Sequence, residues 1–142
     1  MSLTRTAAKY GTKLHTVIYR LTKGKLGGRI GSGETVLVMT TGRRSGKERT
    51  TPLIGVPDGD RIVLIASAGG ADEDPDWFKN LVAHPDVTVE RKGQRSVMTA
   101  SVVEGDERDR LWTAAAALYK GYDRYTQKTS RPIPVVVLAP SR

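Results

Sequence analysis

A chain of 142 residues with a net charge of +8 and no cysteine has the size of one domain and offers no disulfide, thiolate metal site or cysteine nucleophile. Its two histidines, His15 and His84, lie far apart in sequence, which argues against a zinc or non-haem iron centre. Residues 1–49 hold 11 Lys/Arg against 2 acids, whereas residues 50–142 hold 12 against 13, so the first third is built to meet an anion: nucleic acid, anionic lipid or a phosphorylated cofactor.

In chain order, Tyr10, Leu14, Val17, Ile18 and Leu21 recur at helical spacing and predict a helix over residues 4–22. The five glycines between Gly24 and Gly33 predict a flexible connection. Thr35–Thr41 (TVLVMTT) is β-branched and apolar, the pattern of a buried strand. A turn over Gly42–Lys47 leads to a return strand, Thr50–Val56, in which Pro52 marks an edge or a bulge because it cannot donate to a ladder. Pro57-Asp58-Gly59-Asp60 is a hairpin signal, and Arg61–Ser67 is the third strand. Asp74-Pro75 reads as an N-cap followed by proline at the first helical position, opening a helix over Asp76–Ala83 that stops before Pro85. Asp86–Arg91 and Ser96–Val103 form a strand pair around Lys92-Gly93. Asp106 is expected to cap a helix to Tyr119 with Leu111, Trp112, Ala115 and Leu118 inward. Residues 120–131 are polar and aromatic, and Ile133–Leu138 is the last strand.

About six strands, about three helices and a predominance of hairpins predict a mostly β, α+β single domain: an antiparallel sheet or barrel with appended helices. Its expected division is an N-terminal helix and glycine-rich connection over 1–34 and a barrel over 35–142. The N-terminus lacks the apolar core of a secretory leader, and Val135–Ala139, the longest apolar run, is too short to span a bilayer. The cytoplasm is the expected location, with the cationic N-terminal helix able to rest on an anionic membrane.

The glycines of 27–33 have no preceding strand and no following helix, so they do not make a dinucleotide loop, and Gly42–Lys47 is short of P-loop spacing. The turn itself is more informative. Arg43, Arg44, Lys47 and Arg49 surround Ser45 and Gly46 between two strands. Glycines let backbone N–H groups converge into an anion nest, and the arginine fork matches phosphate. Composition alone describes a solvated, solubilising hairpin equally well. The small residues Ala66-Ser67-Ala68-Gly69-Gly70 would let a planar ring approach the backbone, or form an ordinary glycine-rich loop. Tyr119, Tyr122 and Tyr125 recur every third residue, as lids of an apolar pocket or as half-buried packing. No Gly-x-Ser-x-Gly elbow is present, and the chain has no redox chemistry of its own, so an enzyme of this composition is expected to borrow a cofactor.

Three segments together, Thr40–Leu53 (TTGRRSGKERTTPL), Ser67–Val87 (SAGGADEDPDWFKNLVAHPDV) and Tyr119–Pro140 (YKGYDRYTQKTSRPIPVVVLAP), resemble the deazaflavin-dependent nitroreductase family of the split β-barrel oxidoreductases. That resemblance implies a split barrel that binds coenzyme F420 and passes its hydride to a quinone, an enone of the coumarin type or a nitroaromatic. It implies cofactor contacts at Arg43, Arg44, Ser45, Gly46, Lys47 and Arg49 for the phosphate and tail, Thr51 and Pro52 beside the ring, and Ala66, Ser67, Ala68, Gly69, Gly70, Trp77 and Asn80 in the rest of the cleft. Ile54, Tyr119, Tyr122 and Tyr125 match the acceptor pocket, with Ser67 or Tyr125 as proton donor. Ile54, Ala68 and Phe78 stand where the best-known members carry tyrosine, lysine and tyrosine. The alternatives are an FMN-binding split barrel, a lipid carrier and a nucleic-acid binder, the last disfavoured by few aromatics lying far in sequence from the basic turn. The partner is thus a small-molecule acceptor, and a homodimer is consistent with the barrel type.

Overall fold

The computed structural model describes residues 29–30, 33–119 and 121–141. The strands are β1 (Arg29–Ile30), β2 (Gly33–Thr41), β3 (Glu48–Asp58), β4 (Arg61–Ile65), β5 (Asp86–Arg91), β6 (Gln94–Val103) and β7 (Val135–Pro140). The helices are α1 (Asp76–Ala83), α2 (Gly105–Leu118) and α3 (Gly121–Thr126), with a 3-10 turn at Ala68–Gly70. Every pairing is antiparallel, and the order β2-β3-β4-β7-β6-β5 closes on itself through β5 and β2. The result is a six-stranded barrel with three helices on it. Closure covers most of the sheet edge that an open antiparallel sheet would expose, and leaves the part of β3 before Val56 without a β4 partner.

Strand alternation divides the apolar residues into two cores. Val36, Val38, Ile62, Leu64, Val87, Val89, Met98, Val136 and Leu138 fill the barrel, where Trp77 and Leu81 of α1 pack on them. Val56, Val63, Ile65, Val135 and Val137 face outward beneath Leu111 and Ala115 of α2 and Tyr122 of α3. Each fully buried Leu or Val contributes roughly 1.5–3 kcal/mol. Glu34 and Arg91, joined by two hydrogen bonds of 2.7 and 3.3 Å, lie at the opposite end of β2 from the 42–47 turn. Among the described residues no helix is long and apolar enough to cross a membrane.

Most elements fall where the apolar pattern places them, and the departures have local causes. β3 extends two residues past each end of its expected span, because Glu48 and Arg49 pair with Thr41 and Thr40 of β2 and Pro57 and Asp58 with Ile62 and Arg61 of β4. Pro52 sits in register opposite Leu37 without a bulge, in the part of β3 that has no β4 partner, since β3 and β4 pair only at Val56–Asp58. The glycine-rich connection contains a short strand, with Arg29–Ile30 pairing with Gly33–Glu34. Asp74 does not cap α1: Pro75 is the N-cap residue, and the Asp74 carboxylate is held by Arg131 at 2.6 Å. Asp106 lies in the first turn of α2, behind an N-cap at Glu104 that makes no side-chain cap bond. The stretch after Tyr119 contains a further helix, α3. The helix expected over 4–22, and the membrane contact assigned to it, lie outside the described residues.

Candidate functional site

The site begins at the turn between β2 and β3. Gly42 N–H donates to the Lys47 carbonyl at 2.7 Å, Gly46 N–H to the Gly42 carbonyl at 2.8 Å, and Lys47 N–H to Ser45 Oγ at 3.2 Å. A Cβ at Gly42 would stand 2.7 Å from Ser45 Oγ and 3.2 Å from the Lys47 carbonyl, so a side chain there would displace the Ser45 hydroxyl. Gly46 takes φ +70°, which glycine adopts at little cost. Within this frame the four cations separate into two roles. Arg43 folds back on α1: its N–H and Nη1 both donate to Asn80 Oδ1, at 3.1 and 2.9 Å, and its Nη2 lies 3.5 Å from Asp76 Oδ1. Arg44, Lys47 and Arg49 are exposed, and among the described residues their side chains make no ion pair.

Beside the turn lies a cleft of about 250 Å³ lined by Pro52, Leu53 and Ile54 of β3, Leu64 and Ile65 of β4, Ser67, Ala68 and Gly69, Trp77 of α1, and the three tyrosines. It occupies the wedge left where β3 and β4 part after three paired positions. Arg49 precedes Pro52 by three residues on an extended strand, about 10 Å. The residues flanking Trp77 along α1, Asp76 and Asn80, hold Arg43. One helix therefore supports both the turn and the cleft.

The small-residue segment has an unusual backbone. Ala68, Gly69 and Gly70 all have positive φ, at 48, 65 and 85°. A left-handed alanine costs about 1 kcal/mol or more, and such strain clusters at ligand sites. A side chain at Gly69 would meet open space, so the backbone there is bare toward the cleft.

The opposite wall is tyrosine. Tyr119 caps the end of α2, and its ring lies over Gly121, where a Cβ would approach it to 2.7 Å. The Tyr119 and Tyr125 hydroxyls are 3.2 Å apart, and the Tyr119 and Tyr122 rings meet edge to face at 5.0 Å. The pair of helices that carries them is pinned by Trp112 Nε1 donating to Asp123 Oδ1 at 3.0 Å. Burial pushes the Tyr122 phenol above its ordinary range, with Tyr119 and Tyr125 adding to the shift. The hydrogen bond shared with Tyr119, followed by burial, raises Tyr125. Both phenols therefore keep their protons further into the alkaline range than an ordinary tyrosine.

Of the residues expected at the site, Pro52, Ile54, Ser67, Ala68, Gly69, Trp77, Tyr119, Tyr122 and Tyr125 meet in the cleft. Arg44 and Lys47 lie on the turn and Arg49 on β3, three residues before Pro52, and none of the three lines the cleft. Arg43, Ser45, Gly46 and Asn80 build the turn. Asn80 is 5% exposed, with its carboxamide oxygen occupied by Arg43. Thr51, Ala66 and Gly70 are neighbours that do not line the cleft. Leu53, Leu64 and Ile65 were legible only as core. Arg131 and Asp74, which fasten the 66–74 loop, carry no sequence signal, since an arginine before a proline announces no particular partner.

An anionic, ring-bearing cofactor fits this arrangement: free cations lie at one end, and a slot walled by aromatic rings and bare backbone lies at the other. The family model described as F420H(2)-dependent quinone reductase matches residues 11–140. The chain is 42% identical over 130 residues to the F420H(2)-dependent quinone reductase Rv1261c of Mycobacterium tuberculosis, covering 89% of this chain and 87% of that protein. Among solved structures, an F420-H2 dependent reductase (FDR-A) is similar with a TM-score of 0.68 and 38% identity, over 73% of this chain and 92% of that one. A second structure, described as a domain-swapped dimer, is similar with a TM-score of 0.69 and 38% identity, over 73% and 78% of the two chains. The chain belongs to the F420H(2)-dependent quinone reductase family and is an F420-dependent oxidoreductase of split-barrel fold.

Proposed function

We propose that this protein reduces a quinone-type acceptor in the cleft between β3 and the tyrosine wall, using reduced coenzyme F420. The observation that carries the reading is the placement of three uncommitted cations, Arg44, Lys47 and Arg49, next to a slot with a bare backbone edge at Ala68–Gly69 and aromatic rings opposite. The coenzyme, when bound, supplies the hydride. The protein's residues bind, orient and protonate. Arg44, Lys47 and Arg49 would hold the phosphate and tail carboxylates through charge-assisted hydrogen bonds, and Arg43, committed to Asn80, keeps the turn in shape. Pro52, Ile54 and Ala68 offer the flat apolar contacts that a ring system takes, and the three tyrosine rings exclude water from the same space.

Reduction of a quinone by hydride needs one proton per hydride, delivered to a quinone oxygen. Tyr125 Oη, at the cleft and hydrogen-bonded to Tyr119 Oη, would deliver it. A proton leaving Tyr125 is replaceable from Tyr119, so the pair forms a two-step relay. Ser67, 7% exposed on the other side of the cleft, is the second hydroxyl in reach of a bound acceptor. A homodimer belongs to the same reading, supported by the similar structure described as a domain-swapped dimer.

The test is a fluorescence titration with F420, followed by F420H2 oxidation with menadione, a coumarin and a nitroaromatic as acceptors. Saturable binding that weakens with salt and fastest turnover with the quinone are expected. Absence of F420 binding, or a bound FMN spectrum in the purified protein, would overturn the assignment.

A further inference from the structure

Arg131 lies in the loop between α3 and β7, and its side chain is 11% exposed. Its guanidinium donates from Nε to the Ala71 carbonyl at 3.0 Å, from Nη1 to the Ala66 carbonyl at 3.2 Å and Asp74 Oδ1 at 2.6 Å, and from Nη2 to the Ser67 carbonyl at 3.0 Å. Two residues earlier, Thr129 Oγ1 donates to Asp72 Oδ1 at 2.9 Å and accepts the Arg131 N–H at 3.1 Å. Residues 129–131 are thus tied to residues 66–74 across more than fifty positions of sequence. A cation so nearly buried is tolerable only because each face of its fork meets an acceptor and Asp74 balances the charge.

What it ties down is the left-handed turn Ala68–Gly70. That turn has little of its own to hold it: Gly70 N–H donates to the Ser67 carbonyl and Ala71 N–H to the Ala68 carbonyl, at 2.8 and 3.2 Å. Ser67 and Ala71 flank the turn, and the Arg131 fork grips the carbonyls of both. The loop that carries Arg131 also continues from α3. Lys128 N–H donates to the Tyr125 carbonyl at 3.1 Å, and the Lys128 side chain packs so closely over Gly70 that a Cβ there would lie 3.0 Å from it. The bare backbone edge and the tyrosine wall are therefore joined behind the cleft by one short segment.

We propose that Arg131 is a positioning residue that fixes the Ser67–Gly70 edge in its strained form and at a set distance from Tyr125, and so sets the width of the slot for the deazaflavin ring. This rests on the reading that the slot takes that ring. The role is specific to a guanidinium: a lysine ammonium is a point charge that cannot span the Ala66, Ser67 and Ala71 carbonyls together.

The experiment compares wild type, Arg131→Lys, Arg131→Ala and the milder Asp74→Asn by hydrogen exchange of peptide amides and by F420 affinity from fluorescence. In Arg131→Lys, amides of residues 66–74 should exchange about tenfold faster or more while those of β2 and β3 are unchanged, and F420 should bind about tenfold more weakly or worse. Asp74→Asn should shift both quantities in the same direction by less. Guanidinium ion at millimolar, non-denaturing concentration should restore affinity to Arg131→Ala, whose side-chain site it fills. Unchanged exchange over 66–74 in the variants overturns the clamp, and so does faster exchange with undiminished F420 affinity. Failure of the wild-type protein itself to bind F420 overturns the cofactor reading instead, and the exchange comparison then still tests the clamp.

Discussion

The carboxamide oxygen of Asn80 accepts two hydrogen bonds from one residue, Arg43, through its main-chain N–H and its Nη1. The pairing connects α1 to the turn between β2 and β3. It separates cations that look alike in sequence: Arg43 is bonded to Asn80, whereas among the described residues the side chains of Arg44, Lys47 and Arg49 make no ion pair.

Asn80→Ala should therefore destabilise the fold by about 1.5–3 kcal/mol, the range for a hydrogen bond to a charged group, and should weaken F420 binding indirectly. Arg44→Ala should do the reverse. Its stability should stay within about 0.5 kcal/mol of wild type, while F420 affinity falls about tenfold to a hundredfold. Denaturant titration and fluorescence binding on the two variants separate the roles. Equal stability losses in both would contradict the division.

The two glycines of the turn should respond differently to substitution. Gly42→Ala brings a Cβ to 2.7 Å from Ser45 Oγ and 3.2 Å from the Lys47 carbonyl, so Ser45 must rotate off the Lys47 N–H and the carbonyl must shift, and F420 affinity should drop. Gly46→Asn places a side chain in open space at φ +70°, a conformation asparagine tolerates, and should cost about 1 kcal/mol at most. Melting curves and cofactor titrations on both variants check this.

Replacing the proton donor should affect turnover and spare binding. Tyr125→Phe is expected to lower kcat with the quinone by about a hundredfold, with F420 affinity unchanged. Tyr119→Phe should have a smaller effect, because Tyr125 keeps its own proton and loses only the partner that reloads it. Stopped-flow oxidation of bound F420H2 is the measurement, and unaltered kcat in Tyr125→Phe would assign the proton to Ser67 or water.

Tyr122 predicts an alkaline signature. Its phenol titrates above the unfolded value of about 10, so the folded state resists losing a proton that the unfolded chain gives up readily. That contribution to stability is fully present below pH 10 and is lost as the pH rises from there through the folded value. Stability of the wild-type protein should fall faster above pH 10 than that of Tyr122→Phe, and the two curves should run parallel below it. Urea titrations at pH 8, 9.5 and 11 would show the divergence, and parallel curves throughout would refute it.

The strands were legible because Val36, Val38, Ile62, Leu64, Val136 and Leu138 carry the alternation of a half-covered sheet. Pro52 also announced an unpaired edge by its missing N–H. The short helix α3 was not legible. It is six residues long, and Gly121, a poor helix former, begins it because the Tyr119 ring needs the space. The cap expected at Asp74 failed because a largely buried arginine 57 positions away holds its carboxylate, a long-range bond that no local pattern encodes. The chemistry of the turn and the cleft could be read as residue types. Which arginine is spoken for could not, since that depends on Asn80 arriving from another element.

The parting of β3 from β4 after three paired positions has a consequence for what can lodge there. A strand rim left without a neighbour normally recruits whatever extended peptide drifts past, the first step toward intermolecular β-pairing. Here Pro52 interrupts the rim midway, and a visiting peptide would find a ladder with a missing rung. A flat aromatic guest asks for no ladder and loses nothing by the interruption, so the same proline that turns peptides away leaves the berth open to a ring.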